Sequence, residues 1–158
     1  MKKFIMNKAV EIIDAIPETI EGYHYGYIAA AKEAGKPVFV DVTGHGCVNC
    51  REMEQRVWSD PAALDILRNE YVIVALYVDD KHKLDKEDWV TDAETGKVYK
   101  DLGRVNSYIA REKFNVNAQP NYVLLSPDGE ILVPTHSYDL SVENFINFLN
   151  SGVEAYKK

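Results

Sequence analysis

The two cysteines of the chain, Cys47 and Cys50, are separated by two residues and are its only thiols. At this spacing two sulfurs can alternate between a dithiol and a disulfide, and so small a loop restrains the unfolded chain little. A short apolar run and a glycine loop precede the pair, so Cys47 is predicted at the N-terminus of a helix. Free backbone N–H groups and the helix dipole favour a thiolate there. The pattern predicts thiol-disulfide exchange, with Cys47 attacking and Cys50 resolving.

Two other uses of a cysteine pair compete with this interpretation. Zinc usually takes four ligands, so two of the four histidines would have to join the cysteines, and only His45 is near in sequence. Inert core cysteines are disfavoured because Gly44 and Gly46 flank an approach that looks exposed. We therefore predict no metal site, and no cofactor other than the redox-active cysteine pair itself.

Alternating strands and helices are predicted around the cysteines. The run PVFVDV at 37–42 and the run VIVALYV at 72–78 are typical of buried strands. A helix over 48–57 follows the first strand, and a second helix starts at Pro61, with Asp60 as its cap, and ends near Tyr71. Apolar strands in strand–helix–strand order indicate parallel pairing and an α/β fold.

The rest of the chain is predicted to complete a single domain over residues 1–158. Its further elements are a helix over 25–34 ending at Gly35, a surface insertion over 79–103 with a hairpin turning at 94–96, a helix over 105–113, strands over 122–125 and 130–133 joined by a turn at 126–129, and a helix starting near Ser141. The aspartates of the insertion (Asp79, Asp80, Asp85 and Asp88) are predicted to be solvated, because the glycine and glutamate of an EF-hand loop are missing.

Composition narrows the classes of partner and location. A net charge of −7 and a pI of about 5.1, with scattered lysines and arginines, argue against nucleic acid. No apolar run approaches the roughly 20 residues that cross a bilayer. Polar residues interrupt the start MKKFIMNKAVEIIDAI, so it is not expected to be a signal peptide. Two locations stay open, the cytoplasm or, for a domain trimmed from an exported or membrane protein, the periplasm.

The stretch KPVFVDVTGHGCVNCREMEQRVWSDP (36–61) and a later Gln119-Pro120 before an apolar strand carry a resemblance. This pattern resembles the thioredoxin family, in particular the C-terminal periplasmic thioredoxin-like domain of the membrane disulfide reductase DsbD, over about residues 20–150. The resemblance implies a thioredoxin fold, with a central mixed β-sheet flanked by helices and an insertion after the third strand. It also implies a protein-disulfide reductase that relays electrons from a membrane-embedded reductase domain to other periplasmic thioredoxin-like proteins. The protein is expected to be a monomer.

Two carboxylates are assigned roles by the same resemblance. Asp41, six residues before Cys47, matches a buried strand aspartate that could accept the Cys50 proton during resolution. Glu54, four residues after Cys50, matches a glutamate that modulates the cysteines. The plainer alternatives are a surface strand residue for Asp41 and a solvated helix residue for Glu54.

Substrate contacts are assigned in the same way. Pro120 matches the family's cis-proline, which would leave the backbone of Gln119 ready to pair with an incoming extended polypeptide. His45 and Gly46, directly before Cys47, would border the substrate. His45 could stabilise a thiolate as imidazolium, or it could be an ordinary exposed loop histidine.

Departures from thioredoxin leave the direction of electron flow open. Gly46 stands where thioredoxin has a tryptophan, Val48-Asn49 replaces its Gly-Pro, and the strand at 72–78 lacks the lysine that neighbours its buried aspartate. A disulfide oxidase or isomerase of the same fold, and a thioredoxin-fold binding module without catalytic activity, therefore remain as alternatives to a reductase.

Overall fold

The computed structural model of the protein describes residues 2–6, 10–14 and 31–158. The strands are β1 (Lys2–Met6), β2 (Val10–Asp14), β3 (Val38–Thr43), β4 (Val72–Tyr77), β5 (Val90–Thr91), β6 (Val98–Tyr99), β7 (Asn121–Leu125) and β8 (His136–Ser137). The helices are α1 (Val48–Met53), continued by a π-helical segment (Glu54–Trp58), then α2 (Pro61–Glu70), a 3-10 turn (Lys86–Asp88), α3 (Leu102–Phe114) and α4 (Val142–Lys157).

Six of the described strands form one mixed sheet in the order β1-β2-β4-β3-β7-β8. β3 pairs parallel with β4 and antiparallel with β7, and β2 pairs parallel with the other edge of β4. The predicted fold class, an α/β fold with a central mixed sheet flanked by helices, is therefore confirmed. β1 and β2 were not predicted as strands, and they place the insertion after the fourth strand of the chain.

The predicted helices are confirmed, with differences at their ends. The predicted continuous helix 48–57 becomes α1 followed by the π-helical segment. Asp60 caps α2, since its Oδ1 accepts hydrogen bonds from the backbone N–H groups of Ala62 (3.0 Å) and Ala63 (3.3 Å). Of the helix predicted over 25–34, residues 31–34 are helical and the remainder lies outside the described residues.

The prediction of a strand over 130–133 is wrong. Its turn forms as expected, with the N–H of Ser126 bonded to the carbonyl of Glu130 at 2.8 Å and Gly129 at a φ of 86°. Beyond the turn the chain makes only a single bridge, between Leu125 and Ile131, before it leaves the sheet edge. β8 pairs with the beginning of β7 instead.

The insertion over 79–103 is more deeply packed than a surface segment. It contains the predicted hairpin, formed by β5 and β6. Leu84, Val90 and Tyr99 of this insertion are buried in the same cluster as the β3 side chains Val38 and Val40. The prediction of a surface segment is wrong for these three side chains, which cover one face of the sheet together with α3.

β3 is buried on both faces, and its alternating side chains divide between two cores. Val38, Val40 and Val42 face the cluster with α3, whereas Phe39 faces the aromatic cluster formed with α2, α4 and the π-helical segment. Asp41, two residues beyond Phe39, shares its face. Within the described ranges, none of the helices combines the length and apolarity that a bilayer crossing requires.

Replacing Phe39 by alanine is expected to lower the free energy of unfolding of the oxidised protein by about 3–5 kcal/mol. The ring is fully buried and lies 5.2 Å from Tyr122 and 5.4 Å from Trp58, between ring centroids. Denaturant unfolding measures the loss. Ile131→Ala, at a side chain 46% exposed, serves as the control and should change the value by no more than about 0.5 kcal/mol.

Candidate active site

Cys47 and Cys50 form a disulfide at the start of α1, with their Cα atoms 5.2 Å apart. Cys47 is the cap residue of the helix, and its Sγ accepts a hydrogen bond from the backbone N–H of Cys50 at 3.2 Å. Cys47 is partly exposed, whereas Cys50 is 2% exposed. Water and substrates therefore reach the first sulfur, and the second is covered by protein.

Asp41 is buried, as predicted, with 2% of its surface exposed. It stands in the middle of β3, opposite Ala75 of β4 and Tyr122 of β7. Burial raises its pKa well above the usual range; the charge of Glu54 raises it further, and Arg51 acts in the opposite direction. A carboxyl with such a pKa stays protonated to higher pH than an exposed aspartate does. The alternative of a surface strand residue is wrong.

Glu54 is also buried, with 7% of its surface exposed, so the alternative of a solvated helix residue is wrong. It begins the π-helical segment, one turn beyond Cys50. Burial raises the pKa of Glu54, and the Arg51 guanidinium opposes this increase. Asp41 and Glu54 are thus two buried carboxyls, and the charge of Glu54 disfavours the ionisation of Asp41.

Arg51 connects this carboxyl pair to the end of β3, a role that the sequence analysis missed. Its Nε lies 3.2 Å from an Oε of Glu54, and its Nη2 donates to Thr43 Oγ1 at 3.0 Å and to the Gly44 carbonyl at 3.2 Å. The cation beside the buried aspartate therefore comes from α1, since the strand at 72–78 has no lysine. The sequence offered one signal for this role, which is the basic residue directly after Cys50.

Two tyrosines lie on the same face of the sheet as Asp41. Burial raises the pKa of Tyr77 and of Tyr122, and the charge of Asp41 raises both further. The phenols therefore stay protonated at neutral pH.

His45 is an exposed loop residue whose ring has specific neighbours. The ring stacks on Tyr77 with centroids 4.0 Å apart, and its Nε2 lies 3.3 Å from an Oδ of Asp80. Gly46 is exposed directly before Cys47, and its N–H donates to Asp79. The histidine is therefore held at the end of β4 by an aromatic and an acidic neighbour.

The Gln119–Pro120 peptide bond is cis, as the resemblance implies. Gln119 is exposed and Pro120 is buried, directly before β7. Asn121 at the start of β7 pairs with Val42 near the end of β3, so Pro120 lies at the same end of these strands as the loop that leads to Cys47. The structure therefore brings the two predicted substrate-contacting segments to one end of the molecule.

A group of three side chains in the part of the chain that the structure describes has the geometry to hold a metal ion. It consists of Asp85, Glu87 and Asp88, all on the insertion. Neither cysteine nor His45 belongs to it. Exposed acidic groups of this kind are common in solvated loops without a metal.

The amino-acid sequence matches the family model of the thioredoxin-like domain over residues 27–151, which is most of the chain. The chain therefore belongs to the thioredoxin-like domain family. The fold, together with a C-x-x-C pair present as a disulfide, supports a thiol-disulfide oxidoreductase in general. No curated protein sequence matches the chain.

Solved structures of low sequence identity share the fold. The DsbH oxidoreductase superimposes with a TM-score of 0.60 at 13% identity, covering 94% of this chain and 90% of its own. The oxidised C-terminal domain of Neisseria meningitidis DsbD gives 0.57 at 14% identity, covering 87% and 99%. A thioredoxin from Thermus thermophilus gives 0.56 at 22% identity, covering 80% and 81%. These similarities confirm the predicted thioredoxin fold.

Asp41→Asn is expected to make the oxidised protein more stable than the wild type at pH 7. The pKa of Asp41 is raised in the folded protein, so ionisation above the unfolded value of about 3.9 favours unfolding. The stabilisation from a neutral Asp41 is complete below that value and is lost as pH rises through the folded pKa. Each pKa unit corresponds to about 1.4 kcal/mol.

The measurement is the free energy of unfolding between pH 4 and 8. In the wild type the free energy of unfolding should decrease as pH rises. In Asp41→Asn this decrease should be smaller, because only the part caused by the raised pKa of Glu54 remains. Asp65→Asn, at an exposed aspartate of α2, is the control and should keep the wild-type profile. Equal slopes in Asp41→Asn and the wild type would contradict the raised pKa of Asp41.

Proposed function

We propose that the protein is a protein-disulfide reductase that works by dithiol–disulfide exchange through Cys47 and Cys50. The observation that carries the proposal is the asymmetry of the pair. Cys47 is partly exposed at a helix N-terminus, whereas Cys50 is buried one turn later, on the helix that also carries Glu54 towards Asp41. Such an arrangement suits one attacking sulfur and one resolving sulfur.

In the proposed cycle, the Cys47 thiolate attacks a sulfur of the substrate disulfide. That disulfide breaks, one substrate thiolate leaves, and a mixed disulfide joins Cys47 to the substrate. The Cys50 thiol then loses its proton to the ionised Asp41 carboxylate and attacks the Cys47 sulfur. The mixed disulfide breaks, the Cys47–Cys50 disulfide forms, and the second substrate sulfur leaves as a thiolate. Two electrons pass from the protein dithiol to the substrate.

Polypeptide substrates are supported by the surface around the sulfur. Val48, directly after Cys47, is 78% exposed, and it is the most exposed of the large apolar side chains in the described residues. Gln119, at the same end of the sheet, is exposed, and its backbone is proposed to pair with an extended chain. An apolar contact beside such a segment is suited to a protein rather than to a small polar thiol.

The direction of electron flow is proposed from the charges near the pair. A redox protein becomes an oxidant when its reduced, thiolate form is stabilised. Asp41 in β3 and Glu54 directly after α1 are buried, and when either carboxyl ionises its negative charge disfavours a thiolate on the cysteine pair. The disulfide is thereby favoured over the dithiolate, which is the property of a reductant.

Reduced protein is regenerated, in this proposal, by a dithiol partner in a membrane-embedded reductase domain, and the location is the periplasm. The structural similarity to a DsbD C-terminal domain supports this choice. The cysteine pair carries the electrons, so the proposed cycle needs no added cofactor, and the protein acts as a monomer on protein thiols and disulfides.

Cys47→Ser should reduce the rate of insulin-disulfide reduction by dithiothreitol to the uncatalysed rate, because no attacking sulfur remains. Cys50→Ser should also stop turnover, and when the reduced variant is mixed with insulin without dithiothreitol it should accumulate a mixed disulfide that mass spectrometry detects. The exposed Asn49, between the cysteines, supplies the control as Asn49→Ala, which keeps both sulfurs. Full activity of Cys47→Ser would exclude the mechanism. If the wild-type protein showed no activity but still bound a partner protein, a thioredoxin-fold binding module would be favoured.

Equilibration of the protein with a glutathione redox buffer measures the reduction potential of the pair. We expect a value closer to about −270 mV, as in thioredoxin, than to about −120 mV, as in the oxidant DsbA. The alkylated fraction, separated by mass, gives the ratio of dithiol to disulfide. A potential near the DsbA value would overturn the reductase assignment in favour of an oxidase or isomerase of the same fold.

A further inference from the structure

The carboxylate of Asp79 holds the loop that leads into the active-site helix. Asp79 follows the end of β4, beside the end of β3. One of its oxygens accepts a hydrogen bond from the backbone N–H of His45 at 2.7 Å, and the other accepts one from Gly46 at 2.9 Å. A single side chain thus binds two consecutive amides, and the second of them belongs to the residue before Cys47.

Gly44 makes this close approach possible. A Cβ atom built at Gly44 would lie 3.2 Å from an Oδ of Asp79, tighter than ordinary contact. The Gly44 carbonyl accepts hydrogen bonds from the N–H of Cys47 at 3.3 Å and from Arg51 Nη2 at 3.2 Å. The loop is therefore fixed from both sides, by Asp79 on its amides and by α1 on its carbonyl.

The Asp79 carboxylate is ionised at neutral pH. Burial acts to raise its pKa, but the hydrogen bonds from Gly46 and His45, together with the nearby His45 side chain and the backbone N–H of Asp79 itself, outweigh burial, and the pKa lies below its usual value. The other charged and titratable groups that the structure places around this loop and the cysteines are His45 in the loop, Asp80 after β4, Asp41 in β3, Tyr77 in β4, Arg51 in α1 and Glu54 at the start of the π-helical segment.

This arrangement directs two amide donors at Asp79 and not at the active-site sulfur. The Cys47 Sγ accepts one backbone N–H, from Cys50, whereas the two amides before Cys47 point at Asp79. A fixed negative charge next to the loop also opposes a second negative charge on Cys47. The orientation of the amides and the charge of Asp79 therefore both disfavour the thiolate form of Cys47.

We propose that Asp79 is a positioning residue that fixes the 44–46 loop and keeps the Cys47 thiol less acidic than a free loop would allow. The inference rests on the proposed function, in which Cys47 is the attacking sulfur. A less stable thiolate favours the disulfide form, so Asp79 makes the pair more reducing. Asp80, the next residue, is different in kind: its Oδ1 accepts from the N–H of His82, and its Oδ2 lies against the His45 ring.

The test compares Asp79→Asn with Asp80→Asn, which removes the same charge one residue further on. Each change is made in the Cys50→Ser background, and the rate of Cys47 alkylation by iodoacetamide is measured against pH. Asp79→Asn should move the midpoint to lower pH, with the thiolate-to-thiol ratio increased about threefold or more. Asp80→Asn should leave the midpoint closer to that of the parent.

With both cysteines present, the equilibrium with glutathione should shift towards the dithiol in Asp79→Asn by a similar factor. An unchanged midpoint, or an equal shift in Asp80→Asn, would overturn the inference, since only general charge would then be acting. Loss of the fold in thermal unfolding would overturn it as well, because an exposed Asp79 would then be stabilising the whole protein. A shifted midpoint in protein that fails to reduce insulin would leave the loop assignment standing and remove the proposed reductase function.

Discussion

The burial of a carboxyl in the central strand is the constraint on which the site depends. Asp41 lies in β3, between β4 and β7, where both faces of the strand are covered. Removing a carboxylate from water is expensive unless it is neutralised or paired. The protein uses both solutions, because the pKa of Asp41 is raised by burial and the guanidinium of Arg51 faces the carboxyl pair from α1.

The same contacts connect the redox pair to the sheet. Arg51 reaches from α1 to Thr43 and Gly44 at the end of β3, and the change to π-helical geometry begins at Glu54, the residue that interacts with Arg51. Local departures from α-helical geometry are frequent at functional sites. A buried acid, a cation and a covered sulfur are thereby packed into one short segment of chain.

The exposed side of the site is organised differently. There, backbone hydrogen bonds dominate: the amides of the loop bind Asp79, and the N–H of Cys50 bonds to Cys47. In the proposed cycle, the buried carboxyl of Asp41 accepts the proton of Cys50, and the hydrogen-bonded backbone of the exposed loop orients Cys47. This division suits a protein whose partners are other polypeptides, since main-chain pairing accepts many sequences.

The insertion over 79–103 is part of the core that supports the end of the molecule with the active site. Its buried side chains complete the core beneath α3, and the buried Gly103 at the start of that helix passes so close to the chain at Val78 and Asp80 that a Cβ would lie 2.7 Å from their carbonyl oxygens. Leu84, for example, packs in the cluster that holds β3. The segment that carries Asp79 is therefore anchored on both sides, by β4 before it and by α3 after it.

The sequence by itself determined what depends on local pattern. The spacing of Cys47 and Cys50, the apolar runs around 37–42 and 72–78, and the Asp60-Pro61 helix start are short-range signals, and each gave a correct element or site. The burial of Asp41 also followed from its position within an apolar strand. Such features are set by neighbours a few residues away, and a single chain displays them.

Only the tertiary structure decided the features that join distant segments. Arg51 meets Thr43 because α1 packs over the end of β3, and Asp79 meets the loop because parallel β3 and β4 end together. The run at 130–133 had the composition of a strand, yet β8 takes its place beside β7. β1 and β2 went unpredicted because strand pairing is a long-range interaction, and pairing with β4 rather than local pattern makes β2 part of the sheet.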